Sequence, residues 1–169
     1  MSLHEREPPD LLSPPLISLN HVSFLCTSVE SSVKFYQQVL GFDLIKRPSC
    51  FDFKGAWLHR YGIAIHLLQR SSLSDAPVKP STIDPKGNHI SFQCVDVGMM
   101  KKKLEDMGME YVTAAVKEGS IVVEQLFFHD PDGNMIEICD CEKLPVLPLS
   151  SACPPKMFNS HGNTKYFQR

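Results

Sequence analysis

The sequence predicts an α+β fold: two consecutive βαβββ units whose curled mixed sheets form half-barrels. Three observations carry this expectation. The string Asn20-His21-Val22-Ser23-Phe24 returns 68 residues later as Asn88-His89-Ile90-Ser91-Phe92, each copy with a cysteine two positions on, Cys26 and Cys94. Each copy is followed by a helical apolar stripe. Each stripe is followed by three strand-like runs.

The first unit spans 17–72. Its opening strand alternates: Val22, Phe24 and Cys26 share one face, while His21, Ser23 and Leu25 point the other way. Val29, Val33, Tyr36 and Leu40 then fall at i, i+4, i+7 and i+11, one face of a helix. Thr27 and Glu30 have the spacing of a capping box at its start, and Gly41 stands where a left-handed residue would end it. Strands are expected at Phe42–Arg47, Ala56–Tyr61 and Ile63–Leu68.

The second unit spans 85–143. Ile90, Phe92 and Cys94 share the helix-facing side of its first strand, with His89, Ser91 and Gln93 opposite. Val97, Met100, Leu104 and Met107 repeat the helical stripe, with Asp96 as N-cap and Gly108 at the end. Strands follow at Met109–Thr113, Ile121–Phe128 and Asn134–Cys139; Asp130-Pro131-Asp132-Gly133 joins the last two as a type I turn. One such unit cannot cover both faces of its sheet, so the two are expected to pair. A Pro/Ser linker occupies 73–84, and the polar stretches 1–15 and 145–169 read as flexible tails.

Composition narrows the function. The chain has 169 residues, 43% hydrophobic and 21% charged, with a net charge of -2, which is enough for a packed core without disulfide staples. No basic stripe is present, so nucleic acid is not the expected partner. No apolar run reaches the roughly 18 residues of a membrane span. The first ten residues are polar and lack the apolar core of a secretory signal, which points to the cytoplasm. Of the six cysteines (Cys26, Cys50, Cys94, Cys139, Cys141 and Cys153), most lie in apolar strand-like runs and are expected as reduced thiols. Cys139 and Cys141 form a CxC, weak evidence for metal without a second Cys/His pair nearby.

Four polar residues occupy matched places in the repeat. His21 and His89 are equivalent on the first strand of each unit. Gly62 precedes His66 by four residues and Gly133 precedes Glu137 by four; both polar residues interrupt apolar runs. A buried ionisable group needs a partner or a metal, because desolvating it alone costs several kcal/mol. Three imidazoles and a carboxylate brought to one point suit zinc, nickel, iron or manganese. The alternatives are ordinary ones: strand histidines in local hydrogen bonds, Glu137 as a salt-bridged sheet residue, or a polar network that keeps its shape without binding metal. His59 reads as a surface strand residue; His4, His129 and His161 are given no role.

The doubled βαβββ pattern, with "VKFYQQVLGFDLI" (33–45) and "FHDPDGNMIEI" (128–138), resembles the glyoxalase I branch of the vicinal-oxygen-chelate superfamily, and plant glyoxalase-I-like proteins in particular. The resemblance covers about residues 17–142. It implies the glyoxalase/bleomycin-resistance/dihydroxybiphenyl-dioxygenase fold, a divalent metal held by His21, His66, His89 and Glu137, a small-molecule substrate and a homodimer. Three positions depart from the family pattern. His66 stands where glyoxalase I usually has Glu. Leu25 stands where an Arg usually holds a glutathione carboxylate. Arg70 stands where a small polar contact is usual. Leu25 and Arg70 count against glutathione as the thiol.

The resemblance implies a metal-dependent lyase or isomerase acting on a 2-oxoaldehyde–thiol hemithioacetal, the chemistry of methylglyoxal detoxification. The metal would act as a Lewis acid on an enediolate and Glu137 would move the proton. Leu25, Arg70 and Phe127 are candidate substrate contacts, although for Leu25 and Phe127 core packing is the favoured role. Two other functions fit: a non-catalytic small-molecule binder, and an Fe(II) extradiol-type dioxygenase using His21, His89 and Glu137 as its face.

Overall fold

In the computed structural model, which describes residues 14–72, 80 and 82–147 and the backbone of 156–158 and 164–166, the alternation of β1 (His21–Cys26) sets the geometry of the first unit. Val22, Phe24 and Cys26 turn toward α1 (Val29–Gln38) and join the apolar core, while His21, Ser23 and Leu25 remain exposed on the other face. β1 is one edge of a mixed sheet ordered β1-β4-β3-β2. It runs parallel to β4 (Ile63–Gln69); β4 is antiparallel to β3 (Gly55–Arg60), and β3 to β2 (Asp43–Ile45). The second unit repeats this plan. β5 (His89–Gln93), α2 (Val97–Asp106), β6 (Val112–Glu118), β7 (Ile121–His129) and β8 (Met135–Cys139) give the order β5-β8-β7-β6, with β5 and β8 parallel.

Local signals hold with two corrections. Asp96 caps α2 by accepting Met99 N–H at 2.9 Å, and Gly41 (φ +75°) and Gly108 (φ +65°) follow the helix ends. The α1 cap is Ser28 rather than Thr27: Ser28 Oγ accepts Ser31 N–H at 3.3 Å. The backbone N–H of Thr27 is taken instead by Asp132 Oδ1 from the other unit, at 2.7 Å. A tertiary contact displaces the capping box. The second correction concerns β6, expected at 109–113. Met109 N–H closes the end of α2 on Leu104 O at 2.9 Å, so the ladder to β7 begins only at Val112 and runs on to the Gly119-Ser120 turn.

The region read as a C-terminal tail carries a short antiparallel pair, β9 (Lys156–Phe158) with β10 (Thr164–Tyr166), where the sequence placed no strand. Residues 1–13 of the expected N-terminal tail, 73–79 and 81 of the linker, and 148–155, 159–163 and 167–169 lie outside the described residues.

The two units share one core built from their helix-facing sides. Tyr36, Phe42, Ile65 and Leu67 of the first unit join Leu104, Leu126, Phe128, Ile136 and Ile138 of the second. Phe42 meets Phe92 edge-on at 5.8 Å, and Phe35 lies 6.3 Å from Phe128. Fully burying each large apolar side chain contributes about 1.5–3 kcal/mol. Neither unit could gather this cluster alone. The consequence for function is geometric: the helix faces are consumed inside the chain, and the opposite sheet faces are left for other work.

A buried polar knot locks the units together. Asp130, 1% exposed, accepts from Tyr36 Oη at 3.1 Å, the backbone N–H groups of Asp132 and Asn134 at 2.9 and 2.8 Å, and Asn134 Nδ2 at 2.8 Å. Asp132 reaches back to Thr27 N and to Ser32 Oγ at the start of α1, where a carboxylate also complements the helix dipole. Burial, and then the charge of Asp130, push the Tyr36 phenol far above its usual range. Burial, with Asp132 second, likewise raises the Cys26 thiol.

Gly55 has a packing role in β3. A Cβ there would sit 2.5 Å from the carbonyl oxygen of Leu67. Gly55→Ala should therefore destabilise the protein by about 1–3 kcal/mol, as overpacking does. Urea denaturation monitored by Trp57 fluorescence checks this.

Candidate metal centre and substrate face

Strand parity puts His21, His66, His89 and Glu137 on the sheet faces turned away from the shared core. The structure brings them together two by two. His21 and His66 stack at 4.1 Å and 19° on the first sheet. Trp57, opposite His66 in the β3–β4 ladder, stacks on the other side of its ring at 4.1 Å and 5°. On the second sheet, His89 Nε2 lies 3.2 Å from Glu137 Oε2. The four do not gather within one chain. Among the described residues, the group of three or more ligand-type side chains with all ligand atoms within 4.8 Å of one another is Glu137, Cys139 and Cys141.

The donor chemistry fits a cation. His89 Nδ1 lies 2.8 Å from the carbonyl of Gly87, which can only accept, so Nδ1 carries the proton. Nε2, the other ring nitrogen, then faces a carboxylate oxygen, and without a proton of its own it presents a lone pair to another acceptor. Two acceptors facing each other at this distance need a proton or a metal between them. Glu137 is 4% exposed, and its other oxygen accepts from Gln125 Nε2 at 2.5 Å. His21 Nδ1 is similarly held by Asn20 Oδ1 at 2.9 Å, leaving Nε2 outward. Desolvation, and then neighbouring His21, lower the pKa of His66, which favours the neutral form a ligand requires.

The expected substrate contacts sort by face. Phe127 is buried but outside the shared core; it faces Glu137 across the β7–β8 ladder and meets His89 edge-on at 5.5 Å. Leu25 is 51% exposed on the His21 side of β1. Arg70 follows β4 and donates Nη2 to the carbonyl of Leu25 at 3.4 Å. Its Nε is, among the described residues, a buried side-chain donor with no hydrogen bond. His59 is exposed on β3, as expected.

The reduced-thiol expectation needs correction. Cys139 and Cys141 are joined by a disulfide, whereas Cys26, Cys50 and Cys94 are free. Same-face parity of 137, 139 and 141 was the available signal. Cys153 lies outside the described residues. Sequence reasoning also passed over Trp57 and Gln125, whose places beside His66 and Glu137 depend on strand register rather than on any motif.

Comparison with known proteins now decides the family. The family model for the Glyoxalase/Bleomycin resistance protein/Dioxygenase superfamily matches residues 18–138. The chain belongs to this superfamily. It is 60% identical over 134 residues to Glyoxylase I 4 of Arabidopsis thaliana, covering 79% of this chain and 76% of that protein. Solved structures share the superfamily fold at low identity. A glyoxalase family protein from Bacillus anthracis matches with a TM-score of 0.61 and 21% identity, over 76% of this chain and 98% of that one. The fosfomycin resistance protein FosX from Listeria monocytogenes matches with a TM-score of 0.58 and 18% identity, over 74% and 92%. As in the sequence reading, no helix among the described residues is long and apolar enough to cross a membrane.

Proposed function

We propose that this superfamily member is a metal-dependent, glyoxalase-I-like lyase of a 2-oxoaldehyde–thiol hemithioacetal. It works as a homodimer, each site taking His21 and His66 from one copy and His89 and Glu137 from the other. The observation that carries this reading is the division of faces. The helix sides close one core within the chain, and the two polar pairs stand on the opposite sides, apart from each other. A second copy can supply the missing half of each site. The 60% identical relative named Glyoxylase I 4 supports the reaction class.

A bound zinc, nickel, iron or manganese ion would supply Lewis-acid stabilisation of the negative charge that develops on two adjacent oxygens. The chain's own residues do the rest. Glu137, the one carboxylate of the set, takes the proton from one carbon and returns it to its neighbour. Gln125 fixes the carboxylate, and the edge of Phe127 holds the His89 ring. Arg70, held beside Leu25 by its Nη2 bond to the Leu25 carbonyl, brings a guanidinium suited to the carboxylate of a thiol substrate. It supplies from β4 the cation that Leu25 lacks. Losing a charge-assisted hydrogen bond costs about 1.5–3 kcal/mol, so Arg70→Ala should raise KM about 10–100-fold with little change in kcat.

Subunit mixing tests the shared site. His66→Ala and Glu137→Gln proteins should each be inactive with methylglyoxal and glutathione. Unfolded together and refolded, they should regain about a quarter of wild-type turnover, since half the dimers are mixed and each mixed dimer has one intact site. No recovery, with dimers formed, would refute a site divided in this way. The Trp57–His66–His21 stack favours a second reading, a binder of planar ligands without turnover. Wild-type protein that carries no metal and shows no turnover would favour that binder.

A further inference from the structure

We propose that Cys139 and Cys141, when reduced, form with Glu137 a three-donor thiolate site for a soft divalent cation such as zinc, which formation of their disulfide closes. This site shares Glu137 with the lyase reading but stands without it. Alternation along β8 places Glu137 and Cys139 on one face, and Cys141 continues the same parity just beyond the strand. The ligand atoms of Glu137, Cys139 and Cys141 all lie within 4.8 Å of one another. His89 Nε2, 3.2 Å from the Glu137 carboxylate, lies outside this group and steadies the carboxylate. A CxC alone is weak as a metal motif, because a tetrahedral site needs a second pair of donors. Here the fold supplies Glu137 as a third donor, and the fourth position is left to water.

The donors are of the right kind and held in place. Glu137 and Cys139 are 4% and 3% exposed, so their polar atoms gain most from a partner. Ser91 Oγ lies 3.5 Å from Cys139 Sγ and can donate to a thiolate there. Cys141 is half-buried and borders a cavity of about 490 Å³ lined also by Gln93, Glu142 and Lys143, which gives an ion or a reductant a way in. The disulfide spans a sequence separation of two, a loop so short that it restricts the unfolded chain little. Structural stapling is therefore a poor account of it.

The redox step balances with an external dithiol as reductant. Its thiolate attacks the Cys139–Cys141 bond, two electrons and two protons pass to the pair, and the reductant leaves as its own disulfide. Binding a divalent cation then releases the two thiol protons.

The test uses full-length protein reduced with a phosphine, kept free of oxygen and titrated with Co²⁺ as the probe. Thiolate-to-cobalt charge-transfer absorption should appear, saturate at one ion per chain, and be absent from protein with the pair oxidised. The Cys139→Ser/Cys141→Ser double variant should lose this absorption, with Co²⁺ affinity falling on the order of 10–100-fold. His21→Ala should keep it, because His21 lies on the other sheet, and this holds whatever becomes of lyase turnover. No thiolate absorption in the reduced protein would overturn the proposal. So would absorption that persists in the double variant, which would come from another cysteine, or its loss in His21→Ala.

Discussion

Asp130→Ala should lower the unfolding free energy by about 3–5 kcal/mol, the cost of stripping a buried charge network of one partner. Asp130 is 1% exposed and receives four hydrogen bonds, from Tyr36, Asp132, and the backbone and side chain of Asn134. Alanine removes the acceptor and leaves every donor behind. Each buried donor left unpaired costs about 1–3 kcal/mol, and water entering the gap offsets part of the sum. The loss is large against the roughly 5–15 kcal/mol that holds a domain together. The Asp130 knot also bridges the two units, so its loss loosens the shared core rather than one turn. Urea titration should show a lower midpoint with an unchanged slope. Tyr36→Phe should cost less, about 1 kcal/mol, because it removes one donor and leaves the carboxylate three others. A loss below about 1 kcal/mol for Asp130→Ala would mean the knot is not what joins the units.

Why the fold was legible, and the site only half so, follows from the range of the forces involved. Apolar alternation and the helical stripe are local, and they placed β1, α1, β5 and α2 closely. The NHxSF repeat then fixed which residues are equivalent without any knowledge of contacts. Errors came where a distant partner competed with a local signal. Thr27 lost its cap to Asp132 across the interface, and Met109 was drawn into the end of α2 instead of opening β6. The candidate ligands were found because each interrupts an apolar strand. Their grouping was not, because pairing within a unit depends on strand order, and β1 with β4 and β5 with β8 are parallel neighbours far apart in sequence. Trp57 and Gln125 belong to the same class: cross-strand register decides their places, and no motif records it.

Glu137→Gln should separate the site's chemistry from the chain's stability by moving them to very different degrees. Turnover of the hemithioacetal should fall about 10²–10⁴-fold, the usual contribution of a positioned general base. Metal affinity should fall with it, since an amide is a poorer ligand than a carboxylate. The metal-free protein should lose only about 0.5–1.5 kcal/mol, because glutamine exchanges a charge-assisted hydrogen bond for a neutral one. In wild type the carboxylate faces His89 Nε2 at 3.2 Å while His89 Nδ1 is committed to Gly87. Glutamine keeps the shape, leaves its carbonyl for Gln125 Nε2, and turns an N–H toward the His89 lone pair. A proton-bridged pair of acceptors becomes a neutral donor and acceptor. A structural carboxylate would respond the other way, with stability lost and turnover spared. Urea midpoints on metal-stripped protein, set beside initial rates on the metal-loaded enzyme, read both quantities. A less stable Glu137→Gln protein with retained turnover would remove Glu137 from the chemistry and return it to the sheet.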